Sequence, residues 1–299
     1  MSGSLPARGS GVAAAFAVAL LVNVAWGSTP VVTRLAVEDL EPLIVAIART
    51  ALAGLLVAPL LASLRVGLPV RRRGRGLLLV SAVTGFVAFP ILFTLGQERT
   101  SAMHGALILA ALPVFTGVYA AVVHRRRPAR TWLVGCALAL AGEAGVVLLR
   151  TGGGEAEPTF VGDLLVLAAA LVVSLGYVAG ALLSLEGYRS LGTTFWGVAI
   201  GTLLVAPLGA ALVAADGWPQ ADAVAWGSVV FLAVVTSIVG YVGWYWALAR
   251  GGIARVGTVQ FVQPFSGVAL AALVLHERIT LPLAAAGVAI LAGIAVAQR

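Results

Sequence analysis

"ALILAALPVFTGVYAAVVHRRRPARTWLVGCALALAGEAGVVLL", residues 106–149, is two apolar runs joined by a knot of arginine. Each run approaches the roughly 20 residues that an α-helix needs to cross the hydrocarbon core of a bilayer. Strands of a membrane barrel would show about ten residues of strict alternation, and neither run alternates. Backbone in lipid must satisfy its own hydrogen bonds, so runs of this length and composition read as spanning helices. The arginines of "HRRRPAR" (124–130) then mark a membrane face.

The whole chain repeats this pattern. Of its 299 residues 61% are hydrophobic and only 10% charged, against about a quarter charged in an ordinary soluble domain. All 19 basic residues are arginine. A net charge of +7 would suit a nucleic-acid partner if it covered a soluble face. Here the arginines fill short gaps between apolar runs, so no nucleic-acid partner is expected. Cys136 is the one cysteine, which excludes an intrachain disulfide and a cysteine metal cluster. With no lysine there is no phosphate loop, and "TGGGEAEP" (151–158) lacks the strand context of a nucleotide fingerprint. His104, His124 and His276 are too far apart for metal-ligand spacing. The sequence therefore predicts no metal, no cofactor and no enzymatic constellation.

Ten candidate spans follow, at roughly 12–36, 42–63, 76–98, 101–123, 131–150, 161–184, 192–214, 223–248, 253–275 and 280–297. Residues 1–11 form a short tail, since the run that follows outlasts a signal-peptide core. The middle gap, 151–160, separates two similar halves, 12–150 and 161–299. "LLVAPL" occurs at 55–60 and at 203–208. Pro113 answers to Pro264, His124 to His276, and Gly135 to Gly287, at nearly one offset. Five is odd, so the second half enters the membrane from the opposite side. The fold class is all-α: a polytopic membrane protein with ten transmembrane helices in two inverted five-helix repeats, the layout of many secondary transporters.

Arginine counting fixes the orientation. With the N-terminus in the cytoplasm, the inner segments collect Arg8, Arg65, Arg71, Arg72, Arg73, Arg75, Arg125, Arg126, Arg127, Arg130, Arg189, Arg250, Arg255 and Arg299. The outer segments keep only Arg34, Arg99, Arg150 and Arg278. Both termini are therefore expected inside a cytoplasmic membrane, with 151–160 outside. On the same logic "HRRRPAR" is a cytoplasmic topology lock, and "HERIT" (276–280) is its outward-facing twin.

Three stretches resemble EamA-type proteins of the drug/metabolite transporter superfamily: "AWGSTPVVTRLAVEDLEPLIVAIARTALAGLL" (25–56), "TSAMHGALILAALPVFTGVYAAVV" (100–123) and "GYVGWYWALARGGIARVGTVQFVQPFSGVALAALVLHERITLPLAAAGVAILAG" (240–293). The second half carries the family's order of an aromatic-rich helix, a short basic turn, a helix with a central proline, a Leu-x-Glu-Arg turn and a Gly-rich last helix. The chain departs from the pattern at Arg125-Arg126, where the first repeat usually has Glu-Arg, and at Glu143, which interrupts an apolar run. The resemblance implies two EamA-like inverted repeats and export of a small metabolite or toxic compound by alternating access, with a gradient, the proton's among the candidates, supplying the energy. It implies a small-molecule substrate and a lipid bilayer as partners, and is compatible with a homodimer. An uncoupled facilitator or exchanger and a non-transporting scaffold or sensor stand as the alternatives.

Two ionisable residues fall deep in hydrocarbon, where a charge costs at least about 3 kcal/mol unless paired or wet. Arg49 lies about eight residues into the second run, roughly 11 Å down at 1.5 Å per residue. Glu143 lies roughly 18 Å up the fifth run, near the same depth. They are read as groups for substrate charge and for protonation, with a structural ion pair, or an arginine that caps backbone carbonyls, as the competing reading. Asn23, Trp26 and Pro30 share one face of the first run, and Gln260 and Gln263 precede Pro264 on the ninth. Tyr241 and Trp244 join Trp26 as an aromatic wall, and Tyr177 and His104 are weaker candidates for the path. Pro30, Pro113 and Pro264 are candidate kinks or hinges.

Overall fold

A computed structural model describes residues 8–123, 125, 129–149, 159–252 and 256–297. The described residues are helices and short turns. They comprise α1 (Arg8–Gly27), α2 (Thr29–Val37), α3 (Pro42–Ser63), α4 (Arg72–Val83), α5 (Phe89–Glu98), α6 (Ala102–Ile108), α7 (Leu112–Val123), α8 (Arg130–Leu149), α9 (Phe160–Leu185), α10 (Ser190–Asp216), α11 (Ala223–Phe231), α12 (Gly240–Gly251), α13 (Val262–Val274) and α14 (Leu281–Ala297). Several join end to end. Among the described residues seven continuous helical stretches are long and apolar enough to cross a membrane: 11–37, 42–63, 72–98, 102–123, 160–185, 190–216 and 223–251. Leu21, Leu55, Leu148, Leu203 and Leu273 point outward. In water such a surface would aggregate; against lipid tails it carries no cost.

The helices pack across the middle of the chain. α3 lies against α10, and α8 against α14. α1 packs on α12 and α13, while α9 packs on α4, α5 and α7. The α3–α10 contact is close because Gly54 has no side chain: a Cβ there would lie 2.0 Å from Thr202 Oγ1. Thr202 uses that approach to donate to the Thr50 carbonyl at 2.8 Å. The repeated "LLVAPL" places Pro59 inside α3 and Pro207 inside α10.

Two long stretches are interrupted by π-helical turns. One, Thr84–Ala88, joins α4 to α5; the other, Leu232–Val239, joins α11 to α12. A wide turn of this kind disturbs the regular ladder and leaves carbonyls for side-chain donors. Thr50 Oγ1 donates to Phe86 O at 3.0 Å and Tyr241 Oη to Gly85 O at 3.3 Å. Trp26 Nε1 donates to Thr236 O at 2.9 Å. The irregular backbone is thus tied to the residues that build the central cavity.

The prolines expected as kinks sit at seams between helical pieces. The first stretch turns at Ser28, and Pro30 opens α2 just after it, where a missing N–H costs nothing. Pro113 follows a 3-10 turn at Leu109–Ala111, and Pro264 follows one at Gly257–Phe261. At the arginine-rich end, Tyr188 Oη donates to Gly67 O at 2.8 Å, and burial pushes this phenol up to about 12. Of "HRRRPAR" only Arg125, Ala129 and Arg130 lie within the described residues. Arg125 and His276, on the two twinned turns, both take positive φ, 49° and 53°.

Candidate functional site

The π segment of the second half turns Thr236 and Ser237 toward α3. Both hydroxyls donate to Leu232 O, at 2.7 and 2.9 Å. That leaves their lone pairs to accept, and Arg49 Nη2 donates to Thr236 Oγ1 at 2.9 Å and to Ser237 Oγ at 3.1 Å. Arg49 is 2% exposed. Its Nε and Nη1 are buried without a hydrogen-bond partner. Among the described residues no carboxylate pairs with it. Two hydroxyls alone, among the described residues, hold this buried guanidinium, an arrangement that favours an anion nearby.

Aromatic rings close the space around it. Trp26 stacks on Tyr177 with centroids 5.6 Å apart and meets Tyr241 edge-on at 5.3 Å. Trp244 lies 5.7 Å from Trp26 and 6.2 Å from Tyr177. Gly240 makes room for the indole: a Cβ there would lie 2.4 Å from Trp26 Nε1. The cavity these groups enclose is lined by Trp26, Arg49, Tyr177, Tyr241 and Gln263. Thr29, Phe89, Leu109, Leu112 and Thr236 complete the lining. Its free volume, about 20 Å³, holds on the order of one water. An organic solute is larger than this space and needs the walls to part.

Five of the residues singled out in the sequence therefore meet in one cavity: Trp26, Arg49, Tyr177, Tyr241 and Gln263. Gln263 Oε1 is buried and unpartnered. Trp244 backs the wall without lining it. Asn23 donates to Ala19 O on its own helix at 2.8 Å, and neither it nor Gln260 lines the cavity. Both are buried, with Asn23 Oδ1 and Gln260 Nε2 unpartnered. Glu143 falls on α8, but its side chain lies outside the described residues; α8 packs on α14, whereas α3, which carries Arg49, packs on α10. Sequence reasoning missed Thr236 and Ser237. Small hydroxyls in a helix give no signal unless the π turn is known. It also missed Asp163, an acidic residue 0% exposed in the first turn of α9, where a carboxylate beside a helix N-terminus carries no signal of its own.

Comparison with known proteins gives the geometry a context. The model of the EamA-like transporter family matches residues 13–148 and again 160–298. The uncharacterized transporter YdeK of Bacillus subtilis is 34% identical over 276 residues, covering 91% of this chain and 92% of its own. A probable terminal-alkyne amino-acid exporter of Streptantibioticus cattleyicolor is 29% identical, covering 94% and 92%. A probable amino-acid metabolite efflux pump of Escherichia coli is 29% identical, covering 88% and 87%. A solved crystal structure shares the fold, with a TM-score of 0.64 at 19% identity over 95% of this chain and 96% of that one.

Proposed function

The chain belongs to the EamA-like transporter family of the drug/metabolite transporter superfamily, and on that premise we propose that it is a secondary exporter of a small amino-acid metabolite. The observation that carries the reading is Arg49, a buried guanidinium with two unpartnered nitrogens at a cavity walled by aromatic rings. A substrate carboxylate meets that cation, and the aromatic faces of Trp26, Tyr177 and Tyr241 meet an ammonium or apolar group. The names of two relatives, an amino-acid exporter and an amino-acid metabolite efflux pump, favour the same class.

The architecture proposed is ten spans in two inverted repeats, 12–150 and 161–299, joined by an outer linker. Three features favour it. The family model matches twice. The π turns begin at Thr84 and Leu232, and each 3-10 turn precedes its proline seam. The arginine-rich end faces the cytoplasm, so both termini lie on the cytoplasmic side of the membrane. Transport proceeds by alternating access: the halves rock about the cavity, and the π turns and proline seams bend. A gradient supplies the energy, with the proton as coupling ion and Glu143 as the acid put forward from the sequence.

The test is a metabolite profile of the medium from cells expressing wild type, Arg49→Ala or no protein, with membrane insertion checked by immunoblot. An amino-acid metabolite that accumulates only with wild type supports the reading. Equal profiles for wild type and Arg49→Ala overturn the assignment of this cavity.

A further inference from the structure

A second polar site lies toward the arginine-poor end, and it is buried completely. His104 Nδ1 is 3.2 Å from Asp163 Oδ2, and both side chains are 0% exposed. Thr100 Oγ1 donates to the other carboxylate oxygen, Oδ1. His104 stands on α6 and Asp163 in the first turn of α9, so the pair bridges the two halves of the chain. The second ring nitrogen, His104 Nε2, is buried and unpartnered. So is Gln97 Oε1, which sits 2.2 Å from where a Cβ on Gly105 would be.

A buried imidazole and carboxylate hold one proton comfortably. Imidazolium with carboxylate and imidazole with carboxylic acid are both neutral overall. Removing that proton strands a carboxylate, and adding another strands an imidazolium; desolvation opposes each. Water and further polar groups are what give access to a pair buried in this way.

Such groups lead back to the cavity. Thr29 lines it, and Thr33 stands one turn further along α2. Thr94 and Gln97 stand on α5, and α2 packs on both α5 and α6. Thr33 Oγ1, Thr94 Oγ1 and Gln97 Oε1 are all buried without partners. Unmet polar atoms are costly in a lipid-facing bundle, and these three stand on α2 and α5, two helices that pack together.

The surrounding charges are few. Glu98 and Arg99 at the end of α5 pair with each other at 3.3 Å. Arg34 on α2 donates to Gln97 O and Glu98 O. Glu277 accepts from Ala102 N and Met103 N at 2.8 and 2.9 Å. Toward the cavity α9 adds only Tyr177, α7 carries Tyr119, and α13 and α14 carry no titratable residue. α8 carries Glu143, with its side chain outside the described residues.

We propose that His104 and Asp163, in place of the Glu143 put forward from the sequence, form the proton-binding site of the transporter, loaded from the arginine-poor side and emptied by way of Thr33, Thr94 and Gln97. Parting the halves at that side separates the pair and wets both members. Closing them again requires one proton between Nδ1 and Oδ2. Only N–H and O–H bonds form and break, and the proton goes to or comes from water. The proposal rests on the transport reading above.

The test uses the full chain in proteoliposomes with radiolabelled L-leucine and L-phenylalanine. Wild type is expected to show counterflow, and uptake raised at least about fivefold by an acidic interior. His104→Gln and Asp163→Asn are expected to lose that stimulation while counterflow continues, and Thr100→Val to weaken it. Full stimulation in both dyad variants overturns the proposal. So does wild-type counterflow with no stimulation, or loss of stimulation in Glu143→Gln alone. If wild type exchanges neither amino acid, the substrate reading fails by itself, and nitrogen NMR of histidine-labelled protein decides the dyad. A His104 signal that changes protonation with pH and responds to Asp163→Asn supports the site; one that stays fixed from pH 5 to 9 overturns it.

Discussion

Trp26 Nε1 donates to the Thr236 carbonyl at 2.9 Å, from a residue 210 positions away in the chain. One bond thereby ties the first long helix to the π turn that presents the hydroxyls facing Arg49. It satisfies a carbonyl in irregular backbone and fixes the ring on which Tyr177 stacks.

Trp26→Phe keeps an aromatic ring and removes the donor. An unmet buried carbonyl costs about 1–3 kcal/mol. The variant should unfold at a lower temperature in detergent and lose export. An unchanged midpoint would mean that water or another donor replaces the indole.

Arg49→Lys should transport no better than Arg49→Ala. A lysine ammonium lacks the planar fork that meets two hydroxyls and an anion together. Efflux assays at matched expression decide this, and wild-type rates in the lysine variant would sink the idea that guanidinium geometry matters.

Gly54→Ala should destabilise the α3–α10 contact by about 1–3 kcal/mol, because its methyl overlaps Thr202. Adding Thr202→Ala should restore much of that loss, since the two residues share one space. Thermal midpoints of the four proteins in the cycle give the coupling, and strict additivity would count against the contact.

Glu277→Ala removes the carboxylate that accepts from Ala102 N and Met103 N. A lost helix-terminal acceptor costs about 0.5–2 kcal/mol. Glu277→Gln should cost less, because its amide oxygen still accepts one bond. Equal midpoints for both variants would show that the charge, not the acceptor, is what counts.

Orientation has a direct check. In a Cys136→Ser background, Ser63→Cys and Asp216→Cys are exposed at opposite ends of the bundle. An impermeant maleimide added to intact cells should label residue 216 and spare residue 63. The reverse pattern would invert the topology.

The positions of the helices were legible in the sequence because a bilayer imposes length and polarity on each run independently of the others. The described helices fall within a few residues of the runs read from composition. The same reasoning marked Arg49, Trp26, Tyr177, Tyr241 and Gln263, since charges, amides and aromatics stand out in an apolar background. It did not show which of them meet. Asn23 and Gln260 carry the same signal and lie outside the cavity, because a helix face is set by neighbours that periodicity does not name.

What the sequence determined by itself is membrane residence and helix placement. These follow from transfer free energy, which is additive along the chain. The tertiary structure alone decided that Thr236 and Ser237 receive Arg49, and that His104 and Asp163 close on each other across the two halves. Those contacts depend on π turns and on pairing between residues far apart in the chain. Hydroxyls, one histidine and one aspartate become a site only when packing brings them within hydrogen-bond reach and removes the water that would otherwise satisfy them.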